Sequence, residues 1–308
     1  MTDNVMVAYS TLGGDVESSA IHAEPKYTER GTPYLQQPGL ALIAKTQVQA
    51  LRGLKPFLDG FDPDLHFDDY LNDFGGVSQL TPGSMLTKVA GQLCYMSFGP
   101  GRTKNADAQR YLDNLKKSGH GSVFEHVNYT FLCYGISRSL THELVRHRAG
   151  FGFSQVSQRY VDEKILRFVE RPEFQQDPEL HSAFIRTIDQ AAINYAWFAD
   201  MLLGRQRERS IQSLSGEART ELRKKVNQAA RAVLPNETEA PIIVTANARA
   251  WRHFIEMRAN EGAELEIRAL AFRIFLCLAI TDPMLFSDYE IVELSDGTNA
   301  VQTPWRKV

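Results

Sequence analysis

Four arginines, Arg138, Arg146, Arg148 and Arg159, stand in the segment RSLTHELVRHRAGFGFSQVSQRY at 138–160, interleaved with Ser154, Gln155 and Ser157. Guanidinium forks and hydroxyls are what a phosphate or pyrophosphate requires, because each Arg bonds two oxygens at once and stays charged. A lone arginine is more often a solvated residue in a weak ion pair. This density, beside Gly150 and Gly152, favours an anion site, although each glycine also suits a loop that needs positive φ. Two further segments concentrate polar groups in apolar surroundings: GHGSVFEH at 119–126 and RAVLPNETEAPIIVTANARAWRHFIEMR at 231–258. In the latter, Asn247, Trp251, Phe254 and Arg258 share one helical face, with the outer two about 16 Å apart along the axis. One helix can thus touch two ends of a long ligand. Taken singly, Asn247 reads as a helix cap, Trp251 and Phe254 as core, and Arg258 as a solvated cation.

Two other chemistries are weaker. HELVRH invites a zinc-hydrolase reading, but His142 and His147 are five apart and point about 140° from each other at 3.6 residues per turn, whereas two ligands on one helical face need a spacing of four. A site recruiting His120 and His126 is a remote alternative. The cysteines Cys94, Cys133 and Cys277 are odd in number, far apart and set in apolar runs such as RIFLCLAI, so all three read as buried thiols and none as a nucleophile.

The elements that must carry these groups are legible in part. LALIAKTQV, HVNYTFLCYG, ILRFVE and APIIVTA read as strands, and DYEIVELSDGTNAVQT as a hairpin turning at Asp-Gly. Helices are expected from Ser84, where Leu86, Val89, Ala90 and Leu93 form the apolar face, and over NADAQRYLDNLKKSG, closed by Gly119. SRSLTHELVRHR forms another, capped by serine, and four more run from ELHSAFIRTIDQ onwards, one of them stopped by Pro235. The stretch FDPDLHFDDYLNDFGG reads as a solvated acidic face. Strands mixed irregularly with long helices, with neither a βαβ rhythm nor a Gly-rich phosphate loop, favour an α+β fold over a Rossmann one. At 308 residues and 43% hydrophobic the chain can bury a substantial core, and no internal boundary stands out. A net charge of −3 argues against a nucleic-acid polymer as partner. The amino terminus lacks the basic start and apolar run of a secretory signal, and nowhere do eighteen apolar residues run together, so a cytoplasmic protein without membrane contact is expected.

In order, the three polar segments resemble the flavin-dependent thymidylate synthases. That family's signature is Arg-His-Arg, a spacer, then Ser-x-Arg-Tyr, and here it stands as Arg146-His147-Arg148 and Ser157-Gln158-Arg159-Tyr160. The likeness runs from about residue 85 to the end, through GISRSLTHELVRHR, QAARAVLPNETEAPIIVTANARAWRHFIEMRA and SDYEIVELSDGT. It implies an α+β fold, a mixed and largely antiparallel sheet packed with long helices, assembling as a homotetramer whose sites are shared between subunits. Residues 1–84 would be an N-terminal extension and 85–308 the synthase domain, in one continuous unit. The implied reaction is methylation of C5 of dUMP, with FAD as cofactor, 5,10-methylenetetrahydrofolate as carbon donor and NADPH as reductant.

Residue roles carried over from the resemblance place Ser122, Arg146, His147, Arg148, Asn247 and His253 at FAD, and His120 near the flavin ring and folate. The nucleotide falls to Arg138, Glu143, Gln155, Ser157, Gln158, Arg159, Arg231 and Arg258, with Arg258 polarising the pyrimidine and Ser157 joining it as a catalytic residue. No metal is implied. The residues accord with this reading independently: cations such as Arg231 and Arg258 can make C5 nucleophilic by stabilising charge on the ring oxygens, without thiolate attack. Two departures stand out. The spacer AGFGFSQV has eight residues where the family pattern has seven, which predicts a one-residue bulge, and Gly262 replaces a flavin-contacting histidine. Both leave open a UMP methylase of nucleoside-antibiotic type, or a nucleotide-binding homologue without activity. Relative rates on UMP and dUMP separate the first, and dUMP binding without turnover identifies the second.

Overall fold

The computed structural model describes residues 2–49, 51–74, 80–158, 160, 166–209, 216–306 and 308. In chain order its strands are Gly14–Asp15 (β1), Ala20–Ile21 (β2), Lys26–Tyr27 (β3), Pro33–Leu35 (β4), Gly39–Lys45 (β5), Asn128–Tyr134 (β6), Phe151–Gln155 (β7), Phe168–Val169 (β8), Ile242–Asn247 (β9), Glu290–Glu293 (β10) and Asn299–Gln302 (β11). Six of them form the central sheet in the order β1-β2-β5-β6-β9-β7, β3-β4-β8 form a second, and β10-β11 pair as a hairpin. Within the central sheet every pairing is antiparallel, and β4 with β8 is parallel. The alternation of β6 and β9 sets their faces. Tyr129, Phe131 and Cys133 and, opposite, Ile242, Val244 and Ala246 enter the core, while Thr130 and Thr245 join hydroxyls at 2.9 Å on the other side.

The core is organised round the helix Leu265–Thr281, mostly apolar and covered on nearly all sides, with Glu266, Arg268 and Arg273 buried alongside its hydrophobic residues. The helices Thr2–Thr11 and Ala248–Arg258, together with β5, pack on it. Full burial of residues such as Ile267, Leu270, Ile274 and Leu278 contributes about 1.5–3 kcal/mol each. Among the described residues no helix is long and apolar enough to cross a membrane. The α+β class and mixed, largely antiparallel sheet agree with the sequence reading.

Several expectations need correction. The helix Pro82–Cys94 forms, capped by Thr81, with Val89 buried and Leu86 and Ala90 packed against the core as expected, but Leu93 is 48% exposed and Ser84, Thr87, Lys88 and Gln92 are fully inside as well. Tertiary partners bring the polar side in too, since Ser84 Oγ donates to Asp282 and Lys88 Nζ to Gln92 and the Thr103 carbonyl. The acidic stretch is only partly solvated: Tyr70 is buried, donates to Gln92 Oε1 at 2.8 Å and meets Phe98 edge-on. Cys94 is exposed rather than buried, because it ends that helix on its solvent side. The expected bulge is absent. β7 pairs with β9 residue for residue, from Phe151↔Ala246 to Gln155↔Ile242, so the long spacer is a regular edge strand.

Candidate functional site

The site is anchored by two helix starts. Ser137 caps Arg138–Leu144: its Oγ accepts from Leu140 N at 3.0 Å and donates to Glu266 Oε2 at 2.7 Å, fixing the short helix to the central one. Asn247 caps Ala248–Arg258, with Oδ1 accepting from Ala250 N at 2.8 Å, and its backbone N–H donates to Gly150 O at 3.3 Å. Gly150 has φ +78°, and a Cβ there would lie 2.7 Å from Asn247 Nδ2 and 2.9 Å from Ala250 Cβ. Only glycine therefore lets the turn after Arg148 lie against the second helix.

That turn brings His147 to the far end of the same helix. Arg258 Nε donates to His147 Nε2 at 3.1 Å, and Arg258 Nη1 to Glu143 Oε2 at 2.8 Å. The imidazole packs on Phe254, Phe151 and His253, with ring centroids 5.1, 5.9 and 6.0 Å away. Burial, then the Arg258 and His253 charges, push its pKa down to about 4. It is thus neutral at pH 7 and accepts at Nε2, which puts its proton on Nδ1. Because the unfolded imidazole titrates near 6.5, this group's contribution to stability is lost as pH falls from about 6.5 towards 4. We expect histidine NMR to find His147 neutral down to pH about 4 in wild type, and its pKa to rise in Arg258→Ala. A wild-type titration at the ordinary value would refute the contact.

Beside this cluster opens a cleft of about 400 Å³ whose lining includes Ala149, Gly150, Asn247, Arg249, His253 and Glu256, with Glu125 and Val308. Arg249 pairs with Glu125 at 2.6 Å and lies over Gly121, where a Cβ would sit 2.6 Å from its Nε. Arg146 and Arg148 are exposed beside the cleft-lining Ala149 and Gly150, and have no ion pair among the described residues. His120 is exposed at the start of the 3-10 turn Gly121–His126, stacked on Tyr95 at 6.1 Å, and Ser122 is exposed one residue into that turn.

Glu143, His147, Asn247, His253 and Arg258 are thus brought together, while other predicted residues lie apart. Gln155, at the far end of β7, donates to Thr141 Oγ1 at 3.2 Å; Ser157 and Gln158 follow it, and Arg159 lies outside the described residues. Arg138 is half-buried in the first turn of its helix and Arg231 half-buried in the turn Arg231–Val233. Arg249, Glu125 and Glu256 were not singled out from sequence. The only available signal was that all three sit inside the polar segments, Arg249 two residues past the Asn247 cap. His142 is exposed, and among the described residues no group of three His, Cys, Asp or Glu side chains suits a metal.

Residues 77–284 match the family described as thymidylate synthase complementing protein. The chain is 42% identical over 222 residues to the flavin-dependent thymidylate synthase of Mycolicibacterium gilvum (strain PYR-GCK), covering 72% of this chain and 86% of that one. It is 44% identical over 222 residues to that of Mycobacterium avium (strain 104), with the same coverage. The fold is similar to a UMP/dUMP methylase from Streptomyces cacaoi solved with 5-Br dUMP, at a TM-score of 0.50 and 22% identity, over 66% of this chain and 88% of that one.

Proposed function

Because this chain belongs to the thymidylate synthase complementing protein family, the flavin-dependent thymidylate synthases, we propose that it methylates C5 of the uracil of dUMP to give dTMP, using FAD, 5,10-methylenetetrahydrofolate and NADPH. The observation that carries the reading is Arg258, a partly exposed cation fixed by Glu143 and His147 next to the cleft. The residues present fit FAD. The cleft is walled by backbone at Gly150, where a side chain would collide, and Arg146 and Arg148 offer exposed guanidinium forks suited to a pyrophosphate. When bound, FAD supplies hydride transfer and carriage of the one-carbon unit.

The chain's own residues bind and polarise. Arg146 and Arg148 hold the pyrophosphate, and Ser122, Asn247 and His253 position the flavin, with His120 at the ring and folate. Neutral His147 orients Arg258 by accepting from its Nε. Arg258, with Arg231, faces the uracil oxygens and stabilises the negative charge that develops there as C5 attacks. Arg138, Glu143, Gln155, Ser157, Gln158 and Arg159 grip the nucleotide. We read the assembly as a cytoplasmic homotetramer with shared sites, and residues 1–84 as an extension of the synthase domain. The sharing is supported by distance. From Phe151 to Ser157 a strand advances about 20 Å, so Ser157 and Gln158 stand at the opposite end of β7 from the cluster of Glu143, His147 and Arg258.

No cysteine lines the cleft. Burial pushes the Cys133 and Cys277 thiols up to about 12, leaving on the order of one in 10⁵ ionised at pH 7. Purified protein should be yellow with flavin and release tritium from 5-labelled dUMP when given NADPH and methylenetetrahydrofolate. Cys94→Ala, Cys133→Ala and Cys277→Ala should keep that rate within about threefold if they fold. Colourless protein unable to bind FAD would remove the activity, and a well-folded but dead cysteine variant would remove the mechanism.

A further inference from the structure

Nothing in the reaction scheme above uses the chain from β11 onwards, and it lies beyond the residues 77–284 that match the family. Its residues alternate: Val301, Thr303 and Trp305 turn inward, and Gln302, Pro304 and Arg306 are exposed. That period belongs to an extended chain laid along a surface. The surface is the helix Ala248–Arg258, followed from its end towards its start. Val301 N donates to Ala259 O at 2.8 Å, where the helix stops. The Thr303 hydroxyl donates to Asp288, the carboxylate that holds Arg252 in mid-helix, and accepts from Trp305 N at 3.2 Å. The Trp305 ring packs on the core, its centroid 4.9 Å from the buried Lys116 Nζ. Val308, 2% exposed, then lines the cleft together with Asn247, Ala250 and His253 from the helix's opening turns.

We propose that Thr303, Trp305 and Val308 form a strap that retains the flavin, with Val308 as the apolar wall against one of its rings. The composition of the cleft gives Val308 that part. Glu125, Asn247, Arg249, His253 and Glu256 supply its polar groups, and among its described residues Val308 is the one aliphatic side chain larger than alanine. A site for a planar ring system needs apolar cover as well as a few polar groups that fix orientation, and here that cover comes from outside the family match. Thr303 and Trp305 are positioning residues. They do not line the cleft, but they tie the strap to the Arg252–Asp288–Lys116 cluster behind it, so Val308 holds its place only while those anchors hold. The core on its other side keeps the valine from swinging away, since it belongs to the same apolar cluster as Trp251 and Phe254.

The strap rests on the reading that the cleft holds FAD. Diluting flavin-loaded protein and following release as the rise in flavin fluorescence tests it, with a thermal melt of each variant alongside. Val308→Ala removes two methyl groups from the wall and should speed release about five- to tenfold. Val308→Asp, which sets a carboxylate in the cleft that Glu125 and Glu256 already line, should speed it about 30-fold. Val308→Ile keeps the wall and should release FAD within about twofold of wild type. Thr303→Val breaks the hold on Asp288 without touching the cleft and should speed release about threefold. If Val308 only fills the core, Val308→Ala lowers Tm and leaves the release rate at the wild-type value, which overturns the proposal. Slower release from Val308→Ala overturns it as well, by marking the valine as an obstacle to the cofactor. Failure of the underlying reading looks different: wild-type protein that takes up no FAD removes the flavin from the cleft and the strap with it, whereas loaded wild type with rate-insensitive variants removes the strap alone.

Discussion

Replacing Arg258 by alanine is expected to lower kcat for dUMP methylation by about 10³-fold while leaving the fold and flavin content close to wild type. Removing one preorganised donor from a site of developing negative charge costs about 10²–10³ in rate, and here the upper end applies. The truncation deletes the cation and also strands the Glu143 carboxylate, which Arg258 Nη1 otherwise engages at 2.8 Å. An uncompensated negative charge would then stand where the pyrimidine must itself become electron-rich. Stability should barely move, because the Arg258 and Glu143 side chains are 22% and 38% exposed and such a pair contributes about 0–1 kcal/mol. Arg258→Lys keeps charge without the fork that reaches both His147 and Glu143, so its rate should fall between the two. Single-turnover measurement on the loaded enzyme reads the chemical step directly. Arg258→Ala turning over within tenfold of wild type would strip this residue of its role.

Much of that local arrangement was legible because it is local. Ser137 and Asn247 cap their helices as their types and positions suggest, Gly119 closes a helix with φ +71°, and Asp296-Gly297 turns the C-terminal hairpin. The order of the three polar segments was enough to point to the family. What escaped depends on partners distant in sequence. The pairing of Arg258 with His147 spans 111 residues, and no spacing rule reports it. The helix Thr2–Thr11 went unread because its sequence has a weak apolar face, and it gains its stability by packing on Leu265–Thr281. The buried Ser84, Lys88 and Gln92 look like a solvent face until Asp282, Thr103 and Tyr70 supply their hydrogen bonds. β7 was hidden inside a glycine-containing spacer: FGFSQ does alternate half-buried and exposed residues, but over only five positions and with glycine and serine, which favour strands little, on the exposed face.

Breaking the buried ion cluster behind the site should have the largest effect on stability. Arg252 is fully buried on the helix that carries Asn247 at its cap and Arg258 at its end. Its Nη1 and Nη2 each bond Asp288 at 2.7 Å, Nη1 also bonds Leu285 O at 2.7 Å, and its guanidinium lies 4.8 Å from the Tyr289 ring centroid. Lys116 Nζ approaches the same carboxylate at 3.2 Å, and the Thr303 hydroxyl donates to it at 2.5 Å. Burial alone would raise the Asp288 pKa, but the Arg252 hydrogen bonds, the Arg252 and Lys116 charges and Thr303 outweigh it and hold the carboxyl at about 2. Arg252→Ala leaves Asp288 with Lys116 and should cost about 3 kcal/mol; Asp288→Asn strands the buried Arg252, while Lys116 keeps Asp113 at 3.0 Å, and should cost about 5 kcal/mol. At this chain length that lowers Tm by roughly 10 °C, visible in a thermal melt of flavin-loaded protein. The acid limb should change too. A carboxyl depressed below its unfolded value stabilises the fold above pH about 4, and that contribution is lost as pH falls towards 2. Asp288→Asn should flatten stability across that window. Since Arg252 bonds Leu285 and Asp288 rather than groups of the cleft, activity at low temperature should survive in any folded fraction. A Tm within 2 °C of wild type for Asp288→Asn would mean that desolvation already cancels the pairing, and that apolar packing alone holds the helix bearing Arg258 in place.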